Sequence, residues 1–248
     1  MQKNNLKKKD LLNKIKLSIV IPARNEQENI KETVEFIIRY IDKKNTEIII
    51  INDHSEDKTE EISKKIAEKI RNVRVINNEK SPGFANAILS GVEAAKGEYI
   101  LPIMADMCDD PKIIKEMFKK AEEENFDIVC GSRYVKGGGK IGGPKIQGFF
   151  STFVGKSLYY LIGIPTHDVS NAYKLYRKEI FDNIMIKEKG FAFSMEITLK
   201  AYFSGYKISE IPTFWYGRKK GKSKFKLSKT FPYIKLYFWA IMKKWKFL

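Results

Sequence analysis

From Leu17 to Ser132 the chain alternates short apolar runs with stretches whose apolar residues recur every three or four positions. Leu17–Pro22 (LSIVIP) reads as a strand, and Glu47–Asn52 (EIIIIN) as a strand buried on both faces. Val73–Ile76, Tyr99–Met104 and Asp127–Ser132 add three more. Between them, Ile30, Val34, Ile37 and Ile41 fall on one helical stripe, and Ile62, Ile66 and Ile70 on another. Gly83–Lys96 reads as a small-residue helix that Gly97 ends, and a fourth helix opens at Pro111 with Ile113, Ile114, Met117, Phe118 and Ala121. Asn25, followed three residues later by Glu28, predicts a capping box at the start of the first helix. Five strands alternating with four helices over short connections specify an α/β fold, a mostly parallel sheet with helices on both faces.

Beyond Ser132 the pattern loosens. Gly131-Ser132-Arg133-Tyr134 opens a stretch that runs through Gly137-Gly138-Gly139 to Gly142-Gly143-Pro144, and this glycine content predicts a mobile active-site loop. Phe191–Leu199 reads as a short helix and Ile208–Pro212 as a further strand. The tail carries an aromatic and aliphatic run of about a dozen residues, interrupted by Lys235, against the roughly 20 a bilayer-spanning helix needs. Its Phe238, Trp239, Trp245 and flanking lysines suit a helix lying in a membrane interface, or one packed on the main domain.

Composition is ordinary for a soluble chain of 248 residues, 43% hydrophobic and 31% charged. The charge is not ordinary, and its location changes the picture. The net +16 comes from the two ends: residues 1–16 hold six lysines and one aspartate, residues 217–248 hold eleven Lys/Arg and no acid, and 17–216 is neutral. A neutral body with basic ends predicts a cationic contact surface for phosphates or anionic lipid, with no nucleic-acid partner. Three segments are expected: a basic extension over 1–16, a globular domain over 17–226, and a basic aromatic tail over 227–248. Cys108 and Cys130 make neither a metal pair nor a disulfide framework, which predicts a reducing, cytoplasmic setting. The lysine-rich start lacks the apolar core of a signal peptide.

The candidate chemistry sits where strands end. Pro22–Glu26, Asp53 and Asp106 all follow strands, so a parallel sheet sets them on one rim. The first turn, Pro22-Ala23-Arg24-Asn25-Glu26, has no glycine, and the chain has no G-x-x-x-x-G-K, which excludes dinucleotide and P-loop chemistry. Asp53 is placed to take a nucleobase or ribose edge, or to cap the helix behind it. Asp106, Asp109 and Asp110 are oxygen ligands suited to Mg²⁺ or Mn²⁺, with helix capping the competing role for the last two. Arg133, at the root of the glycine-rich loop, is suited to a phosphate.

The ordered set PARNE, IINDHSEDKT, MADMCDDP and GSRYVKGGG resembles the inverting nucleotide-sugar glycosyltransferases of the GT-A fold, family 2. Within them it is most similar to the dolichol-phosphate mannose synthase and polyprenyl-phosphate sugar transferase branch, over Leu17 to about Lys226. The resemblance implies nucleotide binding by Pro22, Ala23, Arg24, Glu26, Asp53, Ala105 and Asp106. It implies a divalent metal at Asp106, although Met104 and Cys108 stand where the family carries an aspartate and a glutamine; Asp109 is the available substitute. It implies an acceptor phosphate held by Arg133, Ser151 and Arg218, with Gln147 replacing a family arginine four residues before Ser151. The family's R-x-x-G-x-S is matched by Arg218, Gly221 and Ser223, and Lys222 joins Arg218 in stabilising the leaving diphosphate. His167–Tyr173 is similar to the family's pocket-floor segment, and Glu196 falls where relatives carry an acid near the acceptor.

The expected activity is transfer of a sugar from a nucleotide-diphosphate donor to a polyprenyl monophosphate, peripherally on the cytoplasmic face of a membrane. The alternatives are transfer to a saccharide or protein hydroxyl with Glu196 as base, and a non-catalytic binder of anionic surfaces or nucleic acid.

Overall fold

The computed structural model describes residues 15–218, 220 and 230–246. The alternation seen in the sequence becomes β1 (Leu17–Ala23), α1 (Ile30–Ile38), β2 (Thr46–Asn52), α2 (Thr59–Lys69), β3 (Val73–Asn77), α3 (Phe84–Ala94), β4 (Tyr99–Pro102), a 3-10 turn at Pro111–Ile113, α4 (Ile114–Glu123) and β5 (Ile128–Ser132). Then follow β6 (Gly139–Ile141), α5 (Lys145–Ile162), β7 (Lys174–Arg177), α6 (Glu179–Asn183), α7 (Phe193–Phe203), β8 (Ile208–Pro212), β9 (Phe214–Tyr216) and α8 (Phe231–Lys244).

Seven strands form one sheet in the order β3-β2-β1-β4-β7-β5-β8, parallel except for β7. Strand β7 is the element the hydrophobic pattern does not announce. It slots between β4 and β5, pairing Ile100 with Tyr176 and Val129 with Leu175. A short second sheet pairs β6 with β9, and a single bridge joins Asp109 to Trp215.

The strands are apolar on both faces because both are covered. Ile19, Ile21, Ile48 and Ile50 pack with Ile30, Val34, Ile37, Ile66 and Met117 on one side. Val20, Ile49, Ile51 and Ile100 pack with Ala87, Ile88 and Val92 of α3 on the other. Each of the fully buried isoleucines of β2 contributes about 1.5–3 kcal/mol of transfer free energy. A third cluster joins α5, α7 and α8 through Leu158, Ile162, Met195, Leu199, Leu236 and Ala240.

The capping box predicted at Asn25 does not form. Asn25 takes a left-handed φ of 53°, tolerated by asparagine. Its N–H donates to Ser55 Oγ at 3.1 Å and its side-chain oxygen accepts from Glu56 N at 2.8 Å. The residue therefore ties two strand-end turns together, and α1 begins five residues later, after Asn29. Thr166–Asp168 lies directly against α5: a Cβ added to Gly155 would meet the carbonyl oxygen of His167 at 2.0 Å. Only glycine permits that approach.

Candidate active site

All the parallel strands end on one rim, and the site is assembled there. The first part is the corner beyond β1 and β2. Asp53 N donates to Ala23 O at 2.8 Å, so the two turns are stitched by backbone. The Asp53 carboxylate is nearly buried and accepts from Asn78 Nδ2 at 2.7 Å and from Gly83 N at 3.0 Å. Pro22 and Arg24 are half-buried beside it, and Ala23 is buried in the strand end.

The second part is the acidic turn after β4. The predicted strand to Met104 stops at Pro102, although Ile103 N still reaches Val20 O at 3.0 Å. Met104 N then turns to Asp109 Oδ2 at 3.3 Å, and Cys108 N to Asp106 Oδ1 at 3.2 Å, with Met107 left-handed at φ 59°. Ala105 is buried, its carbonyl accepting from Thr33 Oγ1 of α1. Asp110 takes the capping role expected of it, its carboxylate accepting from Lys112 N at 3.1 Å. Asp109 does not cap. It is 7% exposed and lies close enough to Asp106 that burial, together with that neighbouring charge, pushes its carboxyl up to about 7.

Arg218, from the segment following β9, closes this part. Its Nη1 and Nη2 donate to the two carboxylate oxygens of Glu26 at 3.1 and 2.8 Å, and Nη2 also reaches Asp106 Oδ2 at 3.2 Å. Burial opposes the guanidinium charge, but these two acids raise its affinity for the proton above the ordinary value. Two acids, Glu26 and Asp106, thus share one cation, with Asp109 close to Asp106, an arrangement that a divalent ion would complement. Asp106 and Asp109 fit Mg²⁺ or Mn²⁺ in the manner of ions held by one or two carboxylates plus substrate phosphates. Among the described residues no group of three His, Cys, Asp or Glu side chains converges to hold a metal without such help. Lys222, Gly221 and Ser223 lie outside the described residues, as does the Gln147 side chain.

The third part is the side-chain group beyond β5. Arg133 and Ser151, far apart in sequence, are brought together: Arg133 Nη2 donates to Ser151 Oγ at 3.1 Å. Asp168 grips the same guanidinium, accepting Nε at 2.7 Å and Nη2 at 2.8 Å. Tyr134 Oη donates to Ser151 Oγ at 2.7 Å, and Ser170 Oγ lies 2.9 Å from it. The charge of Arg133 also lowers the proton affinity of Asp109, coupling this group to the acidic turn. Asp168, Tyr134 and Ser170 were not singled out from the sequence for this role. The one available signal was the D-x-S spacing of Asp168 and Ser170 within the pocket-floor segment.

Glu196, expected near the acceptor, is engaged by the protein's own donors. It is 2% exposed on α7, its carboxylate accepting from the backbone N–H of Lys187 and Glu188 at 2.9 and 2.7 Å and from Lys200 Nζ at 2.6 Å. A general base needs an oxygen within reach of the acceptor's proton, and these oxygens are spent on holding the 187–188 turn. His167 is also structural, with Nδ1 2.5 Å from Glu210 Oε1 and its ring stacked on Tyr159.

Residues 18–185 match the model of glycosyl transferase family 2, and the chain belongs to that family. It is 30% identical over 235 residues to a dolichol-phosphate mannosyltransferase of Pyrococcus furiosus, covering 92% of this chain and 64% of that protein. It is 27% identical over 213 residues to a polyprenol monophosphomannose synthase of Mycolicibacterium smegmatis, covering 83% and 79%. The chain therefore spans somewhat under two thirds of the first of these relatives. Among solved structures, S. aureus TarS in complex with UDP-GlcNAc superposes with a TM-score of 0.64 at 20% identity, over 92% of this chain and 67% of that one. Glucosyl-3-phosphoglycerate synthase from Mycobacterium tuberculosis, in complex with Mn²⁺, UDP and glucosyl-3-phosphoglycerate, gives 0.67 at 16% identity, over 93% and 80%. At these identities the likeness establishes the fold, the GT-A arrangement expected from the sequence.

Proposed function

We propose that this protein transfers a sugar, with inversion, from a nucleotide-diphosphate donor to a polyprenyl monophosphate. One observation carries the reading: the rim holds two separate arginines, Arg218 over the acidic turn and Arg133 beside Ser151. A donor diphosphate and an acceptor phosphate need two such groups. The named relatives act on dolichol phosphate or polyprenol phosphate by their names, and that similarity supports the same acceptor class here.

In this reading Asp53 and the Pro22–Glu26 turn receive the nucleoside. Arg218, exchanging Glu26 and Asp106 for the diphosphate, stabilises the charge that develops as the anomeric C–O bond breaks. Lys222 is assigned the same task on its motif match alone. A Mg²⁺ or Mn²⁺ ion held by Asp106 and Asp109 would supply further charge neutralisation on that diphosphate. Arg133 and Ser151 orient the acceptor phosphate, whose oxygen forms the new bond to the anomeric carbon as the old one breaks. A phosphate monoester is already ionised at neutral pH, so no base is needed. The burial of Glu196 supports this acceptor over an unactivated hydroxyl.

The test is calorimetry and thermal shift with GDP-mannose, UDP-glucose and UDP-GlcNAc, with and without Mn²⁺, followed by transfer to a short polyprenyl phosphate. One donor is expected to bind and to yield a glycosyl phospholipid of inverted anomeric configuration. A folded protein that binds no donor would overturn the assignment.

A further inference from the structure

Glu210 stands on β8 with a side chain only 13% exposed. Its carboxylate takes donors from two consecutive residues of the segment between α5 and β7. Oε2 accepts from His167 N at 2.8 Å and from Thr166 Oγ1 at 3.2 Å, and Oε1 lies 2.5 Å from His167 Nδ1. An ionised carboxylate only accepts, so the ring proton of His167 sits on Nδ1 and is donated. Thr166, fully buried, passes the constraint on: its Oγ1 gives its proton to Glu210 and accepts from Asp168 N at 3.1 Å. The Asp168 carboxylate in turn holds Arg133, and Arg133 meets Ser151.

The same segment is also held by α5. The His167 ring stacks on Tyr159 with centroids 3.9 Å and planes 20° apart, and Tyr159 shares that helix with Ser151. Thr166 to Asp168 thus joins the strand that carries Glu210 to the helix that carries Ser151. Main-chain bonds here are local: Thr166 N donates to Ile164 O at 2.8 Å, and Asp168 O accepts from Asn171 N at 3.4 Å. Such bonds shape the turn but do not place it against β8; Glu210 does. With three donors aimed at one carboxylate, an amide in its place would face at least one of them with a donor of its own.

We propose that Glu210 is a positioning residue for the acceptor phosphate, fixing through Thr166, His167 and Asp168 the point at which Arg133 and Ser151 present their donors. Glu210 does not itself meet the phosphate, since its oxygens are spent on Thr166 and His167. The link to a phosphate rests on the transferase reading, whereas the link from Glu210 to Arg133 rests on hydrogen bonds alone.

Glu210→Gln keeps the size of the side chain and tests the relay on the full chain with two measurements. Exchange of the Arg133 Nε proton with water, followed by NMR, should be slow in wild type, where Asp168 holds that proton, and about tenfold faster in the variant. The calorimetric Kd and the KM for geranyl phosphate, a short prenyl monophosphate, should rise about tenfold, with kcat falling less and donor affinity unchanged. His167 gives a milder pair: His167→Asn keeps a donor at the Nδ1 position and should recover most of the affinity that His167→Ala loses. Glu47→Gln, at the opposite end of β2 from the rim, lowers stability without touching the segment and should leave both readouts unchanged. Unchanged Arg133 exchange in folded Glu210→Gln, or unchanged affinity in a protein that does bind geranyl phosphate, would overturn the proposal. An equal response in Glu47→Gln would overturn it as well, by assigning the effect to stability. Wild type that binds no geranyl phosphate, while Arg133 exchange still answers to Glu210→Gln, would overturn the acceptor reading and leave the coupling of Glu210 to Arg133 standing.

Discussion

Asp168 and Arg133 are locked together by three hydrogen bonds, two from the guanidinium and one from the arginine's own backbone N–H. One carboxylate thereby fixes both the direction of the chain leaving β5 and the plane of the side chain that meets Ser151. Asp168 is fully buried. Asp168→Ala would strand a largely buried cation, and unfolding by urea should show a loss of about 3–5 kcal/mol. Arg133→Lys should also be poorly tolerated, since an ammonium cannot reproduce the fork.

Arg218 holds Glu26 and Asp106. Arg218→Ala is expected to lower turnover by about 10²–10³-fold, the usual cost of removing one stabilising donor from a developing oxyanion. The donor dissociation constant by calorimetry should rise less than turnover falls, since the proposed mechanism has Arg218 act most strongly on the departing diphosphate.

Glu196→Gln separates a structural acid from a catalytic one. Replacing the carboxylate turns one of its oxygens into an amide that faces backbone N–H donors, and stability should fall by about 1–3 kcal/mol. Turnover per folded molecule and the pH–rate profile should be unchanged. A collapse of turnover in a protein of normal stability would return Glu196 to the chemistry.

Glu47 offers a pH test away from the site. Burial pushes its carboxyl up, but bonds from Ser18 Oγ, Lys96 N and Arg74 prevail and hold it below the ordinary 4.5. A depressed carboxylate contributes stability above its unfolded pKa and loses it as pH falls through the folded one. Wild type should therefore exceed Glu47→Gln by about 1–3 kcal/mol at neutral pH, and the two stability curves should converge in acid.

Gly155→Ala would drive a methyl into the His167 carbonyl at 2.0 Å. Because α5 must then shift from the segment bearing Asp168, both stability and acceptor affinity should suffer, the former by about 1–3 kcal/mol. Thermal melting and the KM for the lipid phosphate are the two readouts.

Much of this was legible in the chain. Glu47–Asn52 could hardly be anything but a doubly covered strand, and Asp53 and Asp106 fall on the rim for the same reason their strands are parallel. What could not be read were features whose signal is long-range. Strand β7 is only four residues long and carries Lys174 fully buried at its start, so no apolar run marks it. The ammonium of Lys174 is satisfied by Val169 O, Asn171 O and Ser194 Oγ, partners that exist only once the chain has folded. Asn25 was misread because its side chain bonds across to Glu56, thirty-one residues away, and not to its own helix. Glu196 followed a family position, whereas its burial depends on the 187–188 turn closing over it.

The antiparallel insertion of β7 between β4 and β5 also sets the order in which the sheet can close. β5 has no hydrogen-bonded neighbour among β1 to β4; its partners are β7 and β8, both later in the chain. As the polypeptide emerges, β1 to β4 can pair among themselves, but β4 presents an open edge until residues 174–177 arrive. Arg133, at the end of β5, waits with it. The part of the rim bearing Asp53 and Asp106 can thus form before the part bearing Arg133, and a nascent or truncated chain ending before β7 would expose an apolar strand edge prone to pairing with the wrong neighbour.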